Sequence, residues 1–491
     1  MLLITGIIAD GNNPYTREFQ PYAADVYPPL YNMVVAPLTG IFGNTFQLHR
    51  VISGLCIAMA ATLVGLATVK ESGSRIQGAA ASTLLYAALL FYATPVSSTN
   101  ALGVALFLYG VIIPWWRGFS TGSLIFALIC SLLSFYTKQY FILGMAILCL
   151  YLFLYVSMLR ALCLGFLFAV LLASSLYLVH QSSPYYLDNT LFAPSAAISG
   201  LQMWDILFLQ MRVYLQTYSG LLIVIVIAGI TIIANKTTTR KSDSTVSDSR
   251  VYIESWNSPL VTKPANFFLF CLFWSTLVII LWLGRNPGNY MTYLFQLMSP
   301  FLLIYGFSVI ARLTGKLAII TPIVLFSFYQ SYNILHKDFS TNIENWEKME
   351  VMIAGSDNVL ATQMLVSTLL KHDKKVFQDG HTFYLPLAVN KPTWMIKERE
   401  EDRISTVWAE YISEIYDNIE DQKFDLILVS PWEMRGIFLR NPPPRGGISG
   451  KEFLRRYYAV DEKIKLSMTD RHGGGTYDIA VWRPKSTQGA Q

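Results

Sequence analysis

The sequence predicts a polytopic α-helical membrane protein with a small extracytoplasmic α/β domain at its C-terminal end. Three observations lead there. The 491-residue chain is 53% hydrophobic and 14% aromatic but only 14% charged, far from the composition of a soluble domain. About ten apolar stretches, each near the length that crosses hydrocarbon, follow one another through the first two thirds of the chain. Beyond Asn333 charged residues become frequent, and short apolar runs alternate with helical patterns.

Taken in order, the expected spans lie at residues 50–69, 78–93, 101–116, 122–136, 140–155, 161–180, 220–234, 267–283, 292–311 and 317–332. Some reach spanning length only with their flanking aromatics. Threading them assigns every loop to a side. Lys70 and Arg75, Arg117, Arg160, the group Lys236, Arg240, Lys241 and Arg250, and Arg312 with Lys316 all fall in alternate loops, which the positive-inside rule places in the cytoplasm. The other set faces outward: residues 1–48, the turn at 95–100, 137–139, the long loop 181–219, 284–290 and everything after Asn333. Three regions follow, an external loop with juxtamembrane helices at 1–48, a transmembrane helical domain at 49–335, and an extracytoplasmic α/β domain at 336–491.

Residues 1–9 are apolar but too short to span, and they lack the basic flank and cleavage site of a signal peptide. Nothing in the chain would carry the polar segment after them across the bilayer, so one further span upstream of Met1 is expected. In the C-terminal region KKVFQ (374–378), FDLILVS (424–430) and YDIAVW (477–482) read as strands and residues 358–371 as an amphipathic helix, together a small α/β layer. NPPPRGGISG (441–450) and HGGG (472–475) read as loops. The first lacks the Gly-Lys-Ser/Thr ending of a phosphate loop, and the second has no G-x-S-x-G partner. Residues 235–250, rich in Ser, Thr and Lys, read as a cytoplasmic linker, 397–403 as a solvated charged face, and no internal repeat stands out.

The formal charge of +5 is mostly the cytoplasmic loop excess. It speaks for topology and weakly for anionic lipid, and no nucleic-acid motif accompanies it. All five cysteines, Cys56, Cys130, Cys149, Cys163 and Cys271, fall within expected spans, where they act as small apolar residues and imply neither a disulfide framework nor a zinc site. His49, His180, His372 and His381 lack ligand spacing.

Four segments carry a resemblance. ITGIIADGNNPYT (4–16), then DVYPPLYNMVVAPLTGIFG (25–43), then HRVIS (49–53) make the first; FYTKQYFIL (135–143) the second; GRNPGNYMTYLFQL (284–297) the third; FDLILV (424–429) with YDIAVWRP (477–484) the fourth. In this order and on one side of the membrane they resemble the external segments of GT-C glycosyltransferases, the class that includes protein O-mannosyltransferases, lipid A aminoarabinose transferases and the bacterial RgtA/B/C/D-like enzymes. The resemblance runs nearly end to end.

It implies transfer of a sugar from a polyprenyl-phosphate donor to a glycan, lipid or protein acceptor on the outer face, with inversion. Such a donor leaves its chain in lipid and its phosphate at the interface. The site then needs a cation near the headgroup plane, a carboxylate to take the acceptor proton and hydrogen-bonding groups for the sugar. Lys138, in the Thr-Lys-Gln context, is assigned to the donor phosphate, the alternative being a lysine that snorkels to the interface. Arg285 is the second cationic candidate, or an interfacial anchor. Tyr27, Asn100, Gln139, Asn289 and Tyr293 are the candidates for sugar or acceptor contact.

The family's carboxylate would lie before the G-x-x-Y segment, upstream of Met1. Asp10 and Asp25 are the nearest acids here, each a surrogate base or a solvated loop aspartate. Asn100 stands where the family often carries the aspartate of an Arg-x-Asp arrangement. An amide hydrogen-bonds a hydroxyl but offers a metal no anionic ligand, so no cofactor is expected and a divalent metal is left as the disfavoured alternative. Tyr185, Tyr186, Asp188, Trp204, Asp205, Arg212 and Tyr214, in the long external loop, suit either sugar stacking or an interfacial belt. Two other functions compete: a transporter or flippase, which would show inverted repeats and midplane charges, and a non-catalytic homologue that binds a lipid-linked sugar or a partner protein.

Overall fold

The computed structural model describes residues 2–20, 22–23, 25–90, 99–192, 208, 266–281, 293–311, 321, 325, 340–362, 365–377, 402–430, 450–468 and 475–485. The chain divides into two compact units, one of Met1–Leu48, Leu178–Ile198 and Lys337–Gln491, the other of His49–Tyr177 and Ser199–His336.

The second unit is helical. Its elements are α3 (Phe46–Ser72), α4 (Arg75–Ala88), α5 (Thr99–Trp116), α6 (Thr121–Phe135), α7 (Leu143–Tyr155), α8 (Met158–Ser182), α9 (Phe267–Leu281) and α10 (Ser299–Ile310). A 3-10 turn, Gln139–Ile142, leads into α7, and a π turn, Leu294–Met298, into α10. These helices fall on eight of the ten expected stretches. The stretch at 220–234 lies outside the described residues, as does that at 317–332 apart from positions 321 and 325. Phe46–Ser72, Thr99–Trp116 and Met158–Ser182 are long and apolar enough to cross a membrane by length and composition.

Long aliphatic runs drive these helices, and left-handed residues end two of them, Gly73 after α3 and Gly118 after α5. α5 stops at Gly118 (φ +60°) and Phe119 (φ +56°), a reversal that costs glycine nothing. α3 is apolar on both faces: Ile57, Ala60, Val64 and Ala67 are buried while Val51, Leu55, Met59 and Leu66 are exposed. A helix apolar all round belongs in a core or a bilayer. Inside the unit the apolar faces of α3, α4, α5, α7, α9 and α10 share one core.

The other unit contains α1 (Leu2–Ala9) and α2 (Leu30–Phe42), then α11 (Ser340–Ala354), β1 (Val359–Ala361), α12 (Val366–Lys371), α13 (Asp402–Glu420), β2 (Leu426–Val429), α14 (Gly450–Tyr457), β3 (Tyr458–Met468) and β4 (Gly475–Pro484). The four strands form one sheet in the order β1-β2-β4-β3. β1 and β2 are parallel, with Leu360 beside Ile427, and the other pairings are antiparallel. Both faces are covered. Leu360, Ile427, Val429 and Trp482 meet Tyr411, Ile415, Ile419 and Phe453 of α13 and α14, whereas Val359, Leu426, Leu428 and Val481 meet Met349, Ile353 and Leu369 of α11 and α12. The alternation within Leu426–Val429 feeds the two cores in turn, which is why this strand reads as continuously apolar.

Three expectations about this domain change. Residues 358–371 are not one helix, because Val359–Ala361 pairs with β2 and only Val366–Lys371 is helical. Residues 374–377 form no strand: Val376 and Phe377 are both buried, and two inward neighbours do not fit a period of two. β3 was not anticipated. Of the expected loops, Gly450 opens α14 and Gly475 opens β4, and 441–449 and 472–474 lie outside the described residues, as do the linker at 235–250 and, up to residue 401, the charged face at 397–403.

The segment between α1 and α2 is built into this unit. Leu3 packs on the core shared by the sheet and α11, and Tyr22 on that beneath α13. Arg17 pairs with Glu410, the Tyr22 hydroxyl donates to Glu414 at 3.3 Å, and Lys375 meets Glu414 at 3.0 Å. Residues 182–190 join the same loop: Asn13 donates to Ser182 and Ser183, the Tyr185 amide donates to the Tyr15 carbonyl, and Asn189 donates to Gln20.

Candidate functional site

In the helical unit a polar cluster forms where α5 meets the α6–α7 turn, and its geometry starts from a glycine. A Cβ on Gly103 would lie 2.2 Å from the Phe141 ring and 2.4 Å from the Thr137 hydroxyl, so the turn seats against α5 only because position 103 has no side chain. Thr137 and Lys138 donate their amides to the Ser134 carbonyl, and Lys138 is extended (φ −162°, ψ 129°) before the 3-10 turn begins. That kink brings Tyr140 to the N-terminal end of α5, where Asn100 sits one turn before Gly103.

Tyr140 is the hub. Its hydroxyl lies 2.6 Å from Gln296 Oε1 and 3.4 Å from Asn100 Oδ1. Its ring packs edge-on against Tyr293 with centroids 4.9 Å apart. The Lys138 ammonium lies 5.1 Å from the same ring, a cation–π distance, and Lys138 is only 4% exposed. Burying an ammonium is expensive even beside an aromatic face, and a cation so held is matched best by an anion among hydrogen-bonding groups.

Of the residues expected from sequence, Lys138, Asn100 and Tyr293 therefore converge on one ring. Gln139 is the neighbouring, half-buried residue at the start of the 3-10 turn. Arg285 and Asn289 lie outside the described residues. Tyr140 and Gln296 were missed. Tyr140 passed as the first residue of a span, whereas Gln296 had a usable signal, an amide within an apolar stretch.

Asp10, Asp25, Tyr27, Tyr185 and Tyr186 belong to the other unit. Asp25 is 1% exposed, and its Oδ1 accepts the Tyr27 amide at 3.0 Å while the Tyr27 carbonyl accepts the Tyr15 hydroxyl. It is thus not a solvated loop aspartate: the turn before the Pro-Pro pair draws its carboxylate inward as an Asx cap. Tyr15 stacks edge-on against Tyr186, and burial, followed by the Asp25 charge, pushes its phenol well above the usual range. Tyr185 and Tyr186 are buried here too, so neither is an exposed ring of an interfacial belt. Trp204, Asp205, Arg212 and Tyr214 lie outside the described residues.

Asp10 is exposed at the end of α1 and lines a cleft of about 590 Å³ with Asn44, Trp346, Glu350, Thr368 and Lys371 among its walls. Glu350 is paired with Lys371 and with His372 (3.3 Å), and the Lys371 hydrogen bond comes first in holding its carboxyl below the ordinary value. No protein-family model and no curated protein matches this chain.

Proposed function

We propose that this protein is a multi-pass membrane glycosyltransferase of the GT-C kind, transferring a sugar from a polyprenyl-phosphate donor to an acceptor on the outer face. Lys138 holds the donor phosphate. The observation that carries this reading is the nearly buried Lys138 ammonium above Tyr140, with Asn100 and Gln296 on the Tyr140 hydroxyl, at a turn that the distribution of basic loops assigns to the outer side. A cluster that brings the Lys138 cation together with neutral hydrogen-bonding groups suits the phosphodiester of a donor whose lipid chain remains in the bilayer.

Sidedness has a second support. Residues 1–48, the start of the long loop after 178 and residues 337–491 gather in one compact unit, and all three are segments that the charge pattern puts outside. About ten spans and an extracytoplasmic C-terminal domain follow from that pattern.

In the reaction an acceptor hydroxyl oxygen bonds to the anomeric carbon as the bond from that carbon to the phosphate oxygen breaks. The electron pair leaves with the polyprenyl phosphate, whose growing charge Lys138 offsets, and the hydroxyl proton passes to a carboxylate. Asp10, exposed at its cleft, is open to an acceptor; Asp25 is committed to its turn. The carboxamide of Asn100 in place of an acid favours a second reading, a homologue that binds the lipid-linked sugar without transferring it.

The experiment is transfer of radiolabelled sugar from a broad panel of polyprenyl-phosphate sugars in membranes containing the full chain. Label in a membrane or glycan acceptor supports the enzyme. Binding of a donor without transfer would leave the second reading, and neither would overturn both.

A further inference from the structure

Gln296 is fully buried (0% exposed) in the π turn before α10, and its side-chain amide nitrogen has no hydrogen-bond partner among the described residues. A carboxamide can be satisfied at both ends. Here only Oε1 is engaged, by the Tyr140 hydroxyl at 2.6 Å. An amide donor left idle in an apolar surrounding opposes folding, and an apolar side chain of the same size would serve packing better. Packing therefore does not account for this glutamine.

The hydrogen bond from Tyr140 anchors the carbonyl end of the amide, so the idle NH2 group is held close to it. Tyr140 is also the ring beneath the Lys138 ammonium. One tyrosine thus joins a cation and an unspent N–H donor. Acceptors without donors satisfy both at once, and the non-bridging anionic oxygens of a phosphate ester are such acceptors. The π turn, with helical residues on both sides of it, adds an independent mark, since single π turns inside α-helices recur at functional sites.

We infer that Gln296 is a ligand-binding residue whose side-chain N–H donates to an oxygen of the donor phosphate beside Lys138. This rests on the polyprenyl-phosphate reading given above. Tyr140 then acts as a positioning residue, holding the amide so that its donor faces the phosphate.

The test measures binding of farnesyl phosphate, with farnesol as the phosphate-free control, to the purified full chain and to Gln296→Met, together with the melting temperature of each. Farnesyl phosphate is expected to bind Gln296→Met about tenfold more weakly, with farnesol binding unchanged and melting not lowered. A variant that melts earlier yet binds farnesyl phosphate as tightly as the wild type would overturn the inference alone. A wild-type chain that binds farnesol as well as farnesyl phosphate would overturn the donor reading and this inference with it. Should Gln296→Met fail to fold, Gln296→Glu keeps the shape and puts a carboxylate oxygen where the N–H donor stood. It is expected to abolish the preference for farnesyl phosphate, and a retained preference would contradict the role.

Discussion

At Gly103 the site depends on an atom that is missing. A methyl group there would have to displace both the Phe141 ring and the Thr137 hydroxyl, and overpacking of this kind costs about 1–3 kcal/mol. Gly103→Ala is expected to lower the stability of the helical unit by that amount and to weaken donor binding in parallel, as followed by thermal melting in detergent. Normal melting and binding would mean that the turn does not need its seat against α5. Sequence reached Lys138, Asn100 and Tyr293 through the resemblance of the segments that carry them, Lys138 being conspicuous besides as a charge at the edge of an apolar stretch. It could not reach Tyr140, whose role depends on a three-dimensional meeting with Gln296 across more than 150 residues of chain. Asp25 was misjudged for a related reason: whether a loop carboxylate is solvated depends on the turn that carries it, and the Asx cap to Tyr27 turns this one inward.

Among the elements, the helices were the most legible and the sheet the least. Leu426–Val429 announces itself as a strand buried on both faces. Val359–Ala361 is too short to show a period, so the apolar recurrence that continues into α12 hid it. β3 was masked by its register shift between Val460 and Glu462, which interrupts the alternation that Ile464 and Leu466 resume. The domain built on these strands buries tyrosines whose phenols burial pushes upward, Tyr416 to about 12 and Tyr411 and Tyr458 further. In the unfolded chain a tyrosine titrates near ~10, so above that pH the unfolded state sheds protons that the folded state keeps. Their contribution is complete below about pH 10 and is lost as pH rises through the folded values. Phenolate absorbance in the C-terminal domain should therefore appear together with loss of its circular dichroism signal at strongly alkaline pH. Phenolate formed near pH 10 with the fold intact would show that these hydroxyls reach solvent.

Across the whole molecule, the two arguments for sidedness use different physics. One counts basic residues in loops, and the other follows which segments fold together. They meet in the unit that holds residues 1–48, residues 178–198 and the C-terminal sheet. Its ion pair from Arg17 to Glu410 and the Tyr22, Lys375 and Glu414 group make the segment between α1 and α2 part of the sheet domain rather than a free tether. Sequence reading treated the two as separate regions, since a contact between residue 22 and residue 411 leaves no trace in local pattern.

The function proposed for that arrangement stands on the phosphate. The most direct measurement is the ratio of farnesyl phosphate to farnesol affinity for the full-length protein and for Lys138→Ala, in the same detergent and at low salt. The wild type should favour the phosphate, and Lys138→Ala should lose about tenfold or more of that preference, as expected for removing a charged hydrogen-bond partner, while its melting temperature holds. An unchanged ratio in a folded Lys138→Ala protein would contradict the assignment of the donor phosphate to this lysine.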